Sequence, residues 1–256
     1  MSTLHFGRTI ISGREMTSTQ DRAREIAEQG GASVAGRLVM TQFQTAGRGR
    51  HGRTWHAPPG ANVIHTYIGR PVALAELWQV AFVAGLAAAD AIARFAPPET
   101  VSLRFPNDVL IGGKKACGVL IETVCAAPDV PPGYALPLIG IGINVRGSVD
   151  ALPPEVAVRA TTLEAATGQV FAVGIVGAEL TRALSERWNE WRSGDGFAGS
   201  LAAWHARHDG AGRRLFELSG ESVSCRVLRV SEDGFATLEL PSGETRRVAV
   251  PQIVLG

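Results

Sequence analysis

Apolar positions change their spacing several times along the chain, and each change marks an element. After Thr17-Ser18-Thr19, the stretch QDRAREIAEQGG puts Ala23, Ile26 and Ala27 on one side of a helical wheel. Hydroxyl residues before it and Gly30-Gly31 after it are start and stop signals, so a helix is expected between them. Residues 37–43 and 62–68 are apolar runs of strand length. Residues 73–95 are long and alanine-rich, which predicts a helix. Residues 101–105 read as a strand stopped by Pro106, which has no N–H to give a ladder. Residues 109–111 and 115–123 flank Gly112-Gly113 in a hairpin pattern. Residues 126–133 (AAPDVPPG) form a loop, and residues 136–145 (LPLIGIGINV) a buried strand whose glycines imply close approach by another group. Two or three helices are expected between Thr161 and His208.

From Arg213 onward the period drops to two. RRLFEL, SVSCRVLRV, FATLEL and TRRVAV are separated by turn signals at Ser219-Gly220, Asp233-Gly234 and Ser242-Gly243. This predicts a small all-β module of about five strands, closed as a barrel. The boundary falls near residues 209–212, dividing the chain into 1–208 and 209–256.

Composition narrows the function. At 256 residues with 45% apolar content, the chain can bury a large core. The formal charge of +1 offers no bulk attraction for nucleic acid or membrane, so any basic segment acts locally. The most apolar stretch, residues 78–93, is interrupted by Gly85 and Asp90 and is too short to span a bilayer, and the N-terminus lacks the apolar run of a signal peptide. Three widely spaced cysteines (Cys117, Cys125, Cys225) read as reduced thiols without metal-ligand spacing, which predicts a cytoplasmic protein. Of 25 basic residues only Lys114 and Lys115 are lysines. A site that keeps lysine in so arginine-rich a chain suggests a need for a compact ammonium.

The densest candidate chemistry is TAGRGRHGRTW, residues 45–55, where Gly47, Gly49 and Gly52 alternate with Arg48, Arg50 and Arg53. Glycine lets main-chain amides approach a ligand, and arginine brings a fork of donors suited to carboxylate or phosphate. No acidic residue occurs between Gln29 and Ala75, so these arginines have no acidic partner nearby in sequence. By themselves they fit a ligand-covering loop, a solvated basic loop or an RNA-binding segment. By themselves Ser18 and Thr19 read first as helix caps, a role compatible with ligand binding, and Asn107 and Asp108 fit a turn nearly as readily as a site. His51 and His65 lack a partner at metal or triad spacing. The glycines of GIGINV lack dinucleotide-fold spacing.

Four segments, TST (17–19), QTAGRGRHGRTW (44–55), RFPND…KKACGVLIE (104–122) and GIGINV (140–145), resemble in order and spacing the biotin–protein ligases, also called biotin–acetyl-CoA-carboxylase ligases. The resemblance runs from about Thr17 to the C-terminal module, and GRGRxGRxW is specific to that family. It implies an α+β fold, with a mixed or antiparallel sheet and flanking helices followed by an SH3-like β-barrel. It implies a two-step activity: ATP and biotin form biotinyl-5′-AMP and pyrophosphate with Mg²⁺, and the biotinyl group passes to a lysine of a biotin carboxyl carrier domain. It implies a biotin set of Ser18, Thr19, Gln20, Gln44, Gly47, Arg48, Gly49, Arg50 and Lys115. For ATP and the adenylate it implies Arg50, Arg53, Trp55, Arg104, Asn107 and Asn144. Lys115 and Arg50 are the implied catalytic residues, and Asp108 either holds Mg²⁺ or orients a basic group. Arg104-Phe105 stands where the family usually has Lys-Trp, and Gln20 where it more often has Asn. Because the match begins by Thr17, a ligase without DNA binding of its own is expected. A sheet-edge homodimer is compatible with the sequence. The alternatives are a lipoate or octanoate ligase of the same superfamily, which lacks the GRGRxGRxW signature, or a non-catalytic biotin-binding protein.

Overall fold

A computed structural model describes residues 3–149, 152–193, 196–210, 212–218 and 221–251. The chain opens with β1 (Ile10–Met16), then α1 (Thr19–Gly30), β2 (Leu38–Gln44), β3 (Asn62–Ile68), β4 (Val72–Ala73), α2 (Gln79–Ile92), β5 (Val101–Arg104), β6 (Asp108–Ile111), β7 (Lys114–Val124) and β8 (Tyr134–Asn144). Four helices follow: α3 (Pro154–Ala157), α4 (Leu163–Thr167), α5 (Val173–Arg192) and α6 (Phe197–His205). The strands form one sheet in the order β1-β2-β3-β8-β7-β6-β5, with β4 paired to β8. Among the described strands only β1 and β2 run parallel.

The two faces of this sheet are written in the alternation of β8. Ala135, Ile139, Ile141 and Ile143 belong to the main core under α2, α5 and α6, while Leu136 and Leu138 join Ala23 and Ala27 of α1 in a second core. Because side chains alternate, Gly140 and Gly142 share the α1 face with Leu136 and Leu138 and leave it bare. The α1 end of the sheet is packed by its own side chains, and the floor that continues it over Gly140 and Gly142 carries none of its own.

Two expectations are corrected. The alanine-rich helix begins at Gln79, not at residue 73: Val72 and Ala73 pair with β8, and the Leu74 amide donates to the Gly133 carbonyl, so tertiary pairing overrides local helix propensity. β1 was not foreseen, because IISGREM is an edge strand with an irregular, half-exposed pattern.

The C-terminal module is β9 (Arg214–Leu218), β10 (Glu221–Val230), β11 (Phe235–Glu239) and β12 (Thr245–Ala249), antiparallel in the order β12-β11-β10-β9. The early half of β10 pairs with β9 and its late half with β11, with a register shift between Val227 and Arg229. Four strands stand where about five were expected, and the described strands do not close into a barrel. Residues 252–256, where a further strand would fall, lie outside the described residues. Among the described residues no helix is long and apolar enough to cross a membrane.

Candidate active site

The site is built on the bare floor. A Cβ added to Gly142 would stand 2.5 Å from Trp55 Cζ2, and one on Gly118 would stand 3.0 Å from its Cζ3. The indole therefore lies flat across β7 and β8 and occupies the space their side chains would fill. A Cβ on Gly140 would stand 2.9 Å from Gln20 Nε2, which donates to the Leu120 carbonyl at 3.1 Å. The close approach implied by GIGINV is thus made by Trp55 and Gln20. Two buried polar atoms there, Gln20 Oε1 and Trp55 Nε1, have no hydrogen-bond partner among the described residues. Such atoms cost free energy unless something satisfies them, which suits a polar ligand on this floor.

Around the floor stand the N-terminus of α1 and the end of β2. Ser18 caps α1 and accepts from the Gln20 amide at 3.2 Å. The Gln44 Oε1 accepts from the Thr19 amide (2.8 Å) and hydroxyl (3.0 Å), and the Thr66 hydroxyl donates to Thr19 Oγ1 at 2.9 Å. Ser18, Thr19 and Gln20 are all buried.

The Gly/Arg segment folds as a tight hairpin. The Trp55 amide donates to the Gly47 carbonyl (2.9 Å), the Gly49 amide donates to the Arg53 carbonyl (2.6 Å), and Arg48 bridges to Thr54. Its tip turns through positive φ at His51 and Gly52. Gly47 is required by crowding: a Cβ would stand 2.8 Å from both Gln44 Nε2 and the Trp55 carbonyl oxygen. Arg48 turns outward and pairs with Asp21 at 2.7 Å and Glu122 at 3.4 Å, partners far away in sequence. Arg50 is half-buried, and burial pushes its guanidinium down to about 10 despite the pull of Asp108.

At the far end of the floor, one carboxylate gathers the cations. Asp108, 3% exposed, accepts from Lys115 Nζ at 2.7 Å and Arg104 Nη2 at 2.9 Å, with Arg214 Nη2 at 3.5 Å. Burial pushes the Asp108 carboxyl up, but Lys115, Arg214 and Arg104 outweigh it and hold the pKa below its ordinary value. Arg53 and Arg159 are near enough to disfavour the charge on Arg214. Lys115 reaches this face because of a bulge. Asp108 pairs with Gly118 and Val109 with Cys117, but Leu110 pairs with Lys115, so Ala116 is an extra residue. Were β7 regular through Ala116, strict alternation would send Lys115 to the core face with Cys117. Several cations around a single carboxylate leave a net positive site suited to an anion such as a phosphate chain.

Comparison with known proteins supplies the family. Residues 13–129 match the biotin/lipoate A/B protein ligase family. The bifunctional ligase/repressor BirA of Bacillus spizizenii is 30% identical over 253 residues, which cover 98% of this chain and 75% of that protein. The biotin–[acetyl-CoA-carboxylase] ligase of Paracoccus denitrificans is 33% identical over 215 residues (80% of this chain, 85% of that one). The chain belongs to the biotin protein ligase family. Its fold agrees: the Aquifex aeolicus biotin protein ligase, solved in complex with biotin and ATP, superposes with a TM-score of 0.72 at 25% identity, covering 95% of this chain and 96% of that one.

Seen as a biotin protein ligase, the chain brings most of its expected site residues onto one surface. Ser18, Thr19, Gln20, Gln44, Gly47 and Trp55 enclose the floor, and Lys115 Nζ lies 5.7 Å from the centre of the Trp55 ring. Arg104, Asp108 and Lys115 form the cationic end, with Arg50 and Arg53 within electrostatic reach. Asn107 and Asn144 each give one amide N–H to main chain, to the Val119 carbonyl (2.6 Å) and the Thr161 carbonyl (3.1 Å). These bonds tie the Asn107 turn to β7 and β8 to the Thr161 segment. Asp108 faces basic groups, so of its two expected roles the geometry favours orientation over metal binding. Arg214 was missed, since nothing in RRLFEL separates it from other surface arginines. Glu122 and Asp21 were missed as partners of Arg48 for the same reason: the pairing is long-range.

Proposed function

We propose that this ligase joins the biotin carboxylate to the α-phosphorus of ATP and then transfers the biotinyl group to a lysine of a biotin carboxyl carrier domain. In the first step a carboxylate oxygen bonds to phosphorus and the bond to the β-phosphate breaks, releasing pyrophosphate. In the second the lysine amine attacks the acyl carbon, AMP leaves, and the amine gives up a proton. The observation that carries this reading is the juxtaposition of a glycine floor, covered by Trp55 and Gln20 and flanked by Gln44, with the cations gathered at Asp108.

The groups divide the work by chemistry. Biotin pairs an apolar bicycle with a ureido group, and the Trp55 indole seated on the floor offers apolar surface near the unsatisfied Gln20 Oε1. Lys115, held by Asp108, places an ammonium where negative charge grows on phosphoryl and then acyl oxygens. One such preorganised donor is worth about 10²–10³ in rate. Arg50, Arg53, Arg104 and Arg214 neutralise the phosphate chain. Mg²⁺ finds no protein cradle at Asp108, whose oxygens face cations, and among the described residues no cluster of three or more His, Cys, Asp or Glu side chains could hold a metal. Mg²⁺ would instead enter with the triphosphate, where it would offset phosphate charge.

We divide the protein into a catalytic unit, 1–208, and a C-terminal module, 209–256, and place it in the cytoplasm, where its three unpaired cysteines are at home. Biotin-dependent exchange of labelled pyrophosphate into ATP tests the first step, and labelling of a purified carrier domain tests the second. Exchange that requires lipoate would refute the specificity. Binding of biotin and ATP without turnover would refute the catalysis.

A further inference from the structure

The junction between the two sheets converges on His208. Its Nδ1 lies 3.1 Å from the Leu103 carbonyl oxygen of β5, and its Nε2 lies 3.2 Å from the Val227 carbonyl oxygen of β10. The ring is stacked on Trp204, with centroids 4.3 Å apart and planes at 22°. Two main-chain bonds already tie this segment to β5: the Leu103 amide donates to the Arg207 carbonyl, and the Asp209 amide to the Leu103 carbonyl, both at 2.8 Å. A neutral ring can donate to one of its two facing carbonyls, and the bond that ties β10 to the junction is made by the tautomer with its proton on Nε2, donating to Val227. Burial holds His208 below its ordinary range, so at neutral pH it has one proton to place.

What hangs on Val227 is the position of Arg214. Cys225, two residues before Val227 in β10, is the register partner of Arg214 in β9. From there Arg214 Nη1 donates to the Phe105 carbonyl at 2.8 Å, and Nη2 reaches Asp108 at 3.5 Å. That last contact is the longest of the three at Asp108, so it is the first to weaken when β10 shifts. His205 adds a second grip on the same β11-paired half of β10, facing the Val230 carbonyl at 2.8 Å, but Val230 is five residues from Cys225 whereas Val227 is two.

We propose that His208 is a positioning residue that, by bonding Val227 while stacked on Trp204, seats the C-terminal sheet so that Arg214 completes the cationic end of the nucleotide site. The inference rests on the assignment of that site to ATP. Replacing His208 frees β10 from the junction and lets Arg214 withdraw, which weakens ATP without touching biotin.

The test compares His208→Ala, His208→Gln, Arg214→Ala and the double variant His208→Ala/Arg214→Ala, by calorimetric ATP binding and by pyrophosphate exchange with ATP and biotin titrated separately. His208→Ala and Arg214→Ala are each expected to raise KM and Kd for ATP about tenfold, as for loss of one charge-assisted hydrogen bond. KM for biotin should stay within about twofold. The double variant should be no worse than Arg214→Ala alone, because both changes remove one contribution. His208→Gln, which keeps an N–H donor, should fall between wild type and His208→Ala. If His208→Ala does not fold, the same non-additivity is read from His208→Gln with and without Arg214→Ala. Multiplying effects, or an ATP KM unmoved by either His208 variant while Arg214→Ala raises it, would overturn the proposal and spare the ligase reading. Wild-type protein that binds ATP but exchanges no pyrophosphate in the presence of biotin would overturn the ligase reading, and the His208–Arg214 coupling would be judged on ATP binding. Failure to bind ATP at all would overturn both.

Discussion

Replacing Gly142 by alanine tests whether the floor is the seat of Trp55. The new methyl would stand 2.5 Å from Cζ2, 2.6 Å from Cε2 and 3.0 Å from Nε1 of the indole. Carbon atoms rest at about 3.5–4.0 Å, so ring and strand must separate by roughly 1 Å. The strand has little freedom to yield, because Gly142 lies in register between Ile64 of β3 and Gly118 of β7. The ring, on a glycine-bearing hairpin, has more. Overpacking of this kind costs about 1–3 kcal/mol, which shifts the seated-to-unseated ratio roughly 5- to 150-fold. Because the ring can leave, that energy should appear in loop position rather than in global unfolding, and the melting temperature should change little. Acrylamide quenching reads the ring directly. Of the five tryptophans, Trp78, Trp188, Trp191 and Trp204 are at most 3% exposed, so the accessible emission belongs to Trp55. Gly142→Ala should increase the quenchable fraction and weaken biotin binding. Unchanged quenching with a melting temperature several degrees lower would mean that the sheet gave way instead, and would refute the account of the floor.

Lys115→Met should cut biotinyl-adenylate formation about 10²–10³-fold, with biotin affinity nearly unchanged; an unaltered rate per folded enzyme in single-turnover assays would refute its role. Gly174→Ala is the converse of Gly142→Ala: in α5, with nothing within 4 Å of the new methyl, it should raise stability to urea by about 0.5–1 kcal/mol. His65 is buried against Tyr67, its Nδ1 2.8 Å from the Tyr67 hydroxyl, and burial pushes its pKa down to about 4. A histidine depressed in the folded state stabilises fully above its unfolded pKa of about 6.5, and that contribution is lost as pH falls from there toward 4. Stability should therefore decline by about 2 kcal/mol between pH 7.5 and pH 5, and His65→Gln should remove that part of the slope in urea titrations.

Local chemistry determined much of this protein. Hydroxyls before an apolar helical stripe, with glycines after it, set α1, since capping and the positive φ of Gly31 depend on neighbouring residues. The alternation in LPLIGIGINV set β8 and marked a place of close approach, and the order of the glycine, arginine and lysine segments set the family. The occupant of the glycine floor, the outward turn of Arg48 toward Asp21 and Glu122, and the entry of Arg214 from the C-terminal sheet were decided only in three dimensions. So was the face on which Lys115 emerges, because the single extra residue at Ala116 is visible only in the pairing of β6 with β7. In each of these cases the deciding term is a contact between residues distant in the chain. Propensity and periodicity describe how a residue sits among its neighbours, whereas burial and Coulomb attraction act through space on whatever the fold brings together.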